Sequence, residues 1–332
     1  MSMRGLCPRL CLTGAVSRIL LALALACPAG ALAQSYPSKP VRLIVPYPAG
    51  TTPDIIGRAL AERLQASLGQ PFVVENRSGA GGNIGAEAVA KAGDPHVLLI
   101  GGNGPVAINK HLYKALSYDP DRDLVPISLL ASAPQMLVVR NELPAADFKG
   151  FIEHARKNPG RLSYASVGGG SASHLTMELL KNDARVFIVH IPYRGFPPAV
   201  TDMLAGNIDT MFAIIPAVLP HVRAGKMKGV AVTGLKRSAA APDVPSVAEL
   251  GFPQLESLAW NGLLAPAGTP PAVISRLSAE TVGAMRHPQT REALGRLGFD
   301  VVASSPEEFA RWIGAESEKW ARVIRASGAT AD

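Results

Sequence analysis

Two segments of the chain share one local pattern, in which a short apolar strand enters a turn of small residues and the turn opens a helix. The first occupies residues 41–54 and continues as a helix to Leu68, and the second occupies residues 162–173 and continues as a helix carrying His174. Such a turn gathers unpaired N–H groups at the positive end of a helix dipole, where they hold an anion. The two turns therefore predict one anion held between two halves of the chain.

Short β-rich runs alternate with helical patterns along the rest of the chain. The other runs are residues 72–75, 97–100, 136–139, 186–191, 210–214 and 229–233. This alternation predicts βαβ units with parallel sheets. The sequence is 48% hydrophobic, and a chain of about 300 residues after the leader is expected to form two compact units.

The end of the chain is predicted to be mostly helical, and its last helix has a clear start. Ser305 is the predicted N-cap, Pro306 the first helical residue, and Glu308 completes a capping box. Trp312 and Trp320 follow in the same helix, and we interpret them as core anchors rather than as residues that stack on a ligand.

The first 33 residues have the features of an export signal. Three arginines precede an apolar run at residues 19–26, and a small-x-small site predicts cleavage near Ala33-Gln34. The mature protein is expected to be soluble and periplasmic. Cys27 fits a lipoprotein signal poorly because the required leucine is displaced by one position, so no lipid anchor is expected. All three cysteines lie in this leader, so the mature chain is expected to lack disulfides.

Charge and motif patterns exclude several function classes. Without the leader, 30 of the 33 basic residues remain against 26 acidic ones, and the two signs are interleaved. No basic stripe, RNP motif or zinc finger is present, so nucleic-acid binding is not expected. The seven histidines are scattered without a metal-binding spacing, so we predict no metal site.

Two segments partly match known catalytic and cofactor-binding motifs, but neither match is complete. Residues 168–173 miss the G-x-S-x-G pattern of a serine hydrolase, because the residue two after Ser171 is Ser173. Residues 79–85 miss the dinucleotide fingerprint because the third glycine falls one place late. We therefore predict no catalytic residue and no cofactor. A secreted enzyme using Ser171 or Asp54 with a distant histidine is one alternative, and a structural protein that has lost its ligand is another.

A series of ordered motifs spans essentially the whole mature chain. They lie at residues 36–48, 74–85, 118–120, 158–166, 173–175, 190–195, 219–226, 231–233 and 262–270. In this order they resemble the receptors of tripartite tricarboxylate transporters, the Bug or TctC-type family. The resemblance implies an α/β, two-domain periplasmic-binding-protein fold of type II-like topology. Each domain is then a mostly parallel sheet flanked by helices, with the ligand cleft between domains.

The same resemblance implies domain boundaries and a function. Domain 1 is expected at residues 34–134 plus 260–332, and domain 2 at residues 135–259. A receptor of this kind captures a small carboxylate between its domains and delivers it to the membrane permease subunits of the transporter. It is not an enzyme. A periplasmic sensory receptor, which reports a small organic acid to a membrane protein, is the alternative that the sequence does not separate from transport.

By analogy with the family, ligand-binding residues are expected on both sides of the cleft. On the first side they are Ala49, Gly50, Thr51, Thr52, Asp54 and Asn103. Two glycines of the family's P-G-G-G-T-D loop are threonines here, which narrows the pocket and adds hydroxyl donors. Asp54 either meets a ligand amine or caps the helix. Asn103 either reaches the site or is an ordinary turn residue.

On the second side of the cleft the expected ligand-binding residues are Gly170, Ser171, Ser173, Tyr193 and Arg194. Arg194 is either a charge partner of the ligand or a solvated loop residue. Ala213 and Ile214 stand where many family members have Asp-Asn. This difference favours a less polar acid over an amino acid such as aspartate.

Overall fold

Ten strands form the sheet of the protein, in a computed structural model that describes residues 36–331. In chain order the strands are β1 (Val41–Val45), β2 (Phe72–Asn76), β3 (Val97–Gly102), β4 (Leu124–Arg140), β5 (Ser163–Ser166), β6 (Val189–Pro192), β7 (Thr210–Ile214), β8 (Met227–Val232), β9 (Leu258–Pro266) and β10 (Asp300–Val301). Strands β1 and β3 are buried almost throughout. Their mainly apolar sequences, interrupted in β1 by Arg42, suit strands that are covered on both faces.

Helices connect these strands and cover the sheet. In chain order they are α1 (Thr52–Leu68), α2 (Asn83–Ala90), α3 (Asn109–Leu112), α4 (Pro120–Asp123), α5 (Phe148–Lys157), α6 (Ala172–Ala184), α7 (Phe196–Leu204), α8 (Ile215–Arg223), α9 (Pro271–Arg286), α10 (Pro288–Arg296) and α11 (Pro306–Ser327). Many of these helices have proline at one of their first two positions. Proline lacks an N–H group, and at these positions an N–H would have no acceptor within the helix. A π-helical turn at Gly104–Ile108 precedes α3.

The strands follow one hydrogen-bonded path in the order β2-β1-β3-β9-β4-β7-β5-β6, with β8 and β10 also paired to β4. At one end β1 pairs in parallel with β2 and β3, and at the other β5 pairs in parallel with β6 and β7. In the middle, β4 and β9 pair antiparallel with their neighbours. The predicted α/β class is confirmed, with a parallel βα unit at each end of a mixed sheet.

The 17-residue strand β4 belongs to both ends of the sheet. Its residues up to Pro134 pair with β9, and those from Gln135 pair with β7 and β8. The buried amide of Gln135 donates to the hydroxyls of Thr176 and Ser257 at 2.9 and 3.2 Å, which satisfies polar groups where the strand changes partner. The domain boundary predicted after residue 134 coincides with this change, while the division into two domains stays a prediction.

The largest apolar core draws on three separate parts of the chain. Most of its buried residues lie between Leu137 and Leu255. Ile108 and Leu112, from the segment around α3, pack into the same cluster. So do residues of the last two turns of α11, among them Trp320. Helix α11 therefore completes a core that is built mainly by strands and helices far from it in sequence.

Helix α11 begins as the sequence predicts. Ser305 Oγ accepts the Glu308 N–H at 3.2 Å, and Glu308 Oε2 accepts the Ser305 N–H at 2.8 Å, so the capping box is confirmed. Trp320 is fully buried, which confirms it as a core anchor. Trp312 is half-buried and packs against a different apolar cluster around Phe309.

The chain divides into two compact units, one ending at Ser38 and the other beginning at Lys39. Of the first unit the structure describes only residues 36–38, with a cis peptide bond between Tyr36 and Pro37. None of the helices in the described range, 36–331, has the length and hydropathy needed to cross a bilayer. The predicted export signal and its cleavage site lie outside the described residues.

Candidate functional site

The first predicted anion-binding turn lies between β1 and α1, and the Asp54 carboxylate organises it. Asp54 Oδ2 accepts the Gly50 N–H at 2.9 Å and Arg58 Nε at 3.0 Å, while Oδ1 accepts Asn76 Nδ2 at 2.9 Å. Asn76 also donates to the Tyr47 carbonyl at 3.1 Å. The Arg58 hydrogen bond is the main cause of a pKa of about 2 for Asp54, below its usual 3.8. The buried carboxylate is thus ionised and accepts three hydrogen bonds from protein donors.

These contacts decide which donors of the first turn remain free. The Gly50 amide is bound to Asp54, and the Thr51 amide and hydroxyl both point to the Pro48 carbonyl, at 3.4 and 2.6 Å. Within residues 36–331, the amides of Ala49 and Thr52 make no hydrogen bond to protein. Thr52 is the first residue of α1, where such a group points outward from the helix start. Ala49 and Thr52 are therefore two available main-chain donors at this turn.

We expect acid to remove stability through Asp54. A depressed folded-state pKa contributes stability above the unfolded value and loses it as pH falls through the folded value. The shift from 3.8 to about 2 corresponds to at most about 2 kcal/mol, lost between about pH 4 and pH 2. Urea unfolding at several pH values will show Asp54→Asn already less stable at neutral pH, with a smaller further loss in acid.

Glu292→Gln is the matched control for this experiment. Glu292 is exposed and pairs with Arg296 four residues later, at 3.4 Å. Exposed pairs of this type contribute less than about 1 kcal/mol, so the variant should follow the parent at every pH. An Asp54→Asn protein as stable as the parent at neutral pH would contradict the role assigned to Asp54.

Asn103 lies at the end of β3 and ties three elements together. Its Oδ1 accepts the Trp260 N–H at 3.0 Å, and its Nδ2 donates to the Leu258 carbonyl at 2.9 Å and to Glu316 Oε2 at 3.3 Å. Both ends of the amide are therefore bonded to β9 and α11. This is a structural role that the turn pattern of residues 101–104 did not reveal.

The second predicted turn, residues 166–171, is also held by internal hydrogen bonds. Ser171 Oγ caps α6 by accepting the His174 N–H at 3.3 Å, and it donates to the Gly168 carbonyl at 2.7 Å. The Gly170 N–H donates to His174 Nδ1 at 2.9 Å, and the Val167 N–H donates to Ser173 Oγ at 3.1 Å. Ser171 and Ser173 thus shape the turn, with their hydroxyls 3.1 Å apart.

Free main-chain donors remain on this turn as well. In the described part of the chain, the amides of Gly169, Ala172 and Ser173 make no hydrogen bond to protein. Ala172 and Ser173 are the first two residues of α6, so their N–H groups coincide with the positive end of the helix dipole. The second turn therefore has three unpaired amides that can bind an anion, in addition to those of the first turn.

A chain of close contacts connects the two turns. Gly82 and Gly85, at the start of α2, pack so closely on Pro46 of the first turn that added Cβ atoms would lie 3.5 and 2.8 Å from it. Asn109, on α3, donates to the Gly81 carbonyl at 3.1 Å. Leu112, also on α3, packs on Gly170 of the second turn. The first turn is therefore connected to the second through residues 81–85 and α3.

Tyr193 and Arg194 follow β6 next to the second turn. The Tyr193 N–H donates to the Ser166 carbonyl at 2.9 Å, and its hydroxyl donates to Asp202 at 2.7 Å. Burial and the Asp202 carboxylate raise the pKa of Tyr193 to about 12. Arg194 is exposed and has no acidic partner among the described residues.

The end of β7 is apolar. Ala213 is fully buried in the cluster that contains Met136 and Ala165, and Ile214 is half-buried beside it, paired with Gln135. Neither side chain has a polar atom to offer a ligand. The predicted absence of a polar contact at these positions is consistent with this packing.

The sequence patterns did not identify the side chains whose hydrogen bonds hold the two turns in place. Asn76 fixes Asp54, His174 fixes Gly170, and His190 Nε2 lies 2.6 Å from Ser166 Oγ. The nearest sequence signal was the Ser173-His-Leu175 motif, in which the histidine follows the predicted turn. The fully buried Ser166 cannot reach a substrate, so its contact with His190 is structural. No group of three or more metal-ligating side chains occurs within residues 36–331.

Comparison with known proteins gives a consistent result. The family model described as "Tripartite tricarboxylate transporter family receptor" matches residues 56–329. R. palustris Rpa4515 with adipate is 33% identical with a TM-score of 0.78, covering 90% of this chain and 100% of that one. The periplasmic binding protein BugD is 33% identical with a TM-score of 0.75, over 90% and 100% of the two chains. MatC from Rhodopseudomonas palustris with bound malate is 32% identical with a TM-score of 0.74, over 87% and 100%.

These matches confirm the periplasmic-binding-protein fold. They cover 87–90% of this chain and the full length of each neighbour. The family model alone spans more than half of the sequence. The chain belongs to the family of tripartite tricarboxylate transporter receptors, the Bug or TctC-type solute-binding proteins.

Proposed function

We propose that this protein is a periplasmic receptor for a small dicarboxylate, which it delivers to the membrane permease subunits of a tripartite transporter. The observation that carries the proposal is the pair of turns with unpaired amides, linked to each other through α3. Two relatives of the same fold are described with adipate and with malate. Both ligands have two carboxylates.

The free donors are sufficient for useful affinity. Micromolar binding requires about 8 kcal/mol, and a hydrogen bond to a charged group contributes about 1.5–3 kcal/mol. Five of the unpaired amides at the two turns belong to Ala49, Thr52, Gly169, Ala172 and Ser173. Four such bonds reach the required energy before the cost of ordering the ligand is subtracted. The side chains of Thr52 and Arg194 supply further donors.

The surroundings of the turns favour a diacid without an amine. Asp54, the obvious partner for a ligand ammonium group, already accepts three protein hydrogen bonds. Ala213 and Ile214 offer no polar atom. Arg194 is the exposed cation beside the second turn, and it suits a second carboxylate through its planar pair of donors. These features together favour a dicarboxylate over an amino acid.

Capture and delivery follow from the proposed division into domains 34–134 plus 260–332 and 135–259. Strand β4 extends from one end of the sheet to the other, and β9 pairs with its first part, so β4 and the start of β9 are the natural crossovers for a closing motion. Closure around a ligand excludes water, strengthens the amide bonds and creates a surface that the permease can recognise. Export by a leader cleaved near Ala33-Gln34 brings the receptor to the periplasm. No acid, base or nucleophile is required.

Thermal unfolding with a panel of acids tests this proposal. Adipate, malate and succinate at millimolar concentration should raise the melting temperature by several degrees, because a ligand at 100 times its Kd stabilises by about 2.7 kcal/mol. Aspartate, which carries an ammonium group, should give a smaller shift. Failure of every mono-, di- and tricarboxylate to stabilise the protein would contradict the proposal.

Arg194→Ala distinguishes the two ends of the ligand. Loss of one charged pair should weaken dicarboxylate binding by about tenfold and leave monocarboxylate binding unchanged. Arg223→Ala is the matched control, because Arg223 lies on α8 and bonds to the Ala240 carbonyl. If Arg194→Ala loses equal affinity for mono- and dicarboxylates, Arg194 does not bind the second carboxylate.

A further inference from the structure

Three rings are stacked beneath the glycine-rich second turn. The imidazoles of His174 on α6 and His190 on β6 have centroids 4.1 Å apart and planes 7° apart. The phenol ring of Tyr164 on β5 continues the stack, 4.8 Å from His190. Because each ring is attached to a different element and packed on the next, the side chains have little freedom to rotate.

Each imidazole is also bonded to the turn above it. His174 Nδ1 accepts the Gly170 N–H at 2.9 Å, and His190 Nε2 lies 2.6 Å from Ser166 Oγ. A backbone N–H can only donate, so this contact requires His174 Nδ1 to be unprotonated. The observed shape of the turn therefore depends on neutral His174, with its proton on Nε2.

The other side of His174 faces the partly buried carboxylate of Glu178. Glu178 Oε1 lies 3.8 Å from His174 Nε2, and the same oxygen accepts the Tyr164 hydroxyl at 2.5 Å and Lys181 Nζ at 2.6 Å. Strand β7, which also packs on α6, has no ionisable side chain. Helix α11 joins the same apolar cluster through Trp320, Val323 and Ile324.

We propose that His174 is a positioning residue of the ligand site, which holds the Gly170 amide while neutral and releases it when protonated. The inference rests on the proposed function, because the turn it concerns is the one proposed to bind a carboxylate. With Gly170 held, the free amides of Gly169, Ala172 and Ser173 keep the geometry that the structure shows. The receptor then binds its ligand at neutral pH and loses affinity in mild acid.

Protonation of His174 would place two hydrogen-bond donors opposite each other. An imidazolium carries N–H at both ring nitrogens, so Nδ1–H of His174 would point at the Gly170 N–H. Two donors cannot share a hydrogen bond, and one of them must move. Glu178 supports one positive charge on the stack, whereas a second imidazolium at 4.1 Å is opposed by like-charge repulsion. A single proton on His174 is therefore enough to change the turn.

Calorimetric titration with adipate from about pH 8 to pH 6, across the usual range of histidine, tests the inference. The parent should lose about tenfold in affinity over this range. His174→Asn places an amide oxygen where Nδ1 stands and cannot titrate, so it should keep the affinity of the neutral parent and show a flat profile. His174→Leu removes the acceptor and should bind weakly at every pH.

His221→Asn is the matched control. His221 lies on α8, away from the second turn in sequence, and its replacement should leave the parent profile unchanged. This control also corrects for protonation of adipate itself, which affects all the proteins equally. Identical pH profiles for the parent and His174→Asn would overturn the inference.

Nitrogen NMR of the histidine rings gives a readout that needs no ligand. In the parent, His174 Nδ1 should be unprotonated at about pH 8, and the Gly170 amide signal should shift on acidification, but not in His174→Asn. A protonated Nδ1 at that pH would overturn the inference. If these signals behave as expected while no carboxylate binds the parent, the proposed function fails and the hold of His174 on Gly170 stands.

Discussion

Replacing Trp320 with alanine is expected to lower the free energy of unfolding by about 4 kcal/mol. The side chain is fully buried in the largest apolar core, and its Nε1–H donates to Glu316 Oε2 at 3.0 Å. Alanine would leave a cavity among Val323, Ile324 and their neighbours. It would also remove one of the hydrogen-bond donors to the buried Glu316 carboxylate. Urea unfolding followed by circular dichroism measures the change.

Phenylalanine at the two tryptophan positions separates the apolar and polar parts of this loss. Trp320→Phe keeps most of the packing but removes a donor to Glu316, so it should cost about 2 kcal/mol. The buried Nε1 of Trp312 has no hydrogen-bond partner within residues 36–331, so Trp312→Phe should change stability by less than about 0.5 kcal/mol. Equal effects at the two positions would show that the Glu316 contact contributes nothing.

Gly170→Ala is expected to have the second large effect, on both stability and ligand binding. Gly170 has φ of +70°, which costs about 1–2 kcal/mol in alanine, and an added Cβ would lie 1.9 Å from Leu112 Cδ2. The turn must then move away from α3 and from His174 Nδ1. We expect a loss of about 2–4 kcal/mol in stability and a loss of adipate affinity of at least about tenfold.

Gly169→Ala is the matched control one residue earlier. Its φ is not positive, and an added Cβ would make an ordinary contact of 3.5 Å with the Thr330 carbonyl. The free Gly169 amide is retained, so stability should change by less than about 0.5 kcal/mol and adipate should still bind. Adding Leu112→Ala to Gly170→Ala relieves the contact but not the backbone strain, so recovery should be partial. Parent-like binding by Gly170→Ala would contradict the importance of this turn.

The local patterns of the sequence were sufficient for much of the fold. Strands β1, β2 and β5, the helices that follow the two turns, and the capping box of α11 were predicted close to where the structure has them. These elements are set by short-range signals: an apolar run, a small-residue turn and an N-cap. The antiparallel middle of the sheet was not predicted. Strand β4 contains Pro126 and Pro134, which mark strand ends in a sequence pattern, and β9 was not recognised as a strand.

The candidate site was predictable in position but not in its hydrogen bonds. Both turns were identified from their sequences, yet no local pattern indicates that the Gly50 and Gly170 amides are bound to Asp54 and His174. Those bonds depend on how side chains from the following helix fold back over the turn. Asn103 shows the same limit, because its partners Trp260 and Glu316 are more than 150 residues away. Contacts between distant parts of a chain are not encoded in the local patterns that identify a turn.

The position of α11 also constrains the order of folding. Its last two turns fill the core formed by residues 137–255, together with Ile108 and Leu112. That core cannot close while the C-terminal residues are still being synthesised, because Trp320 is among its largest side chains. The growing chain therefore remains incompletely folded until α11 has been synthesised, a state that would suit the export proposed above.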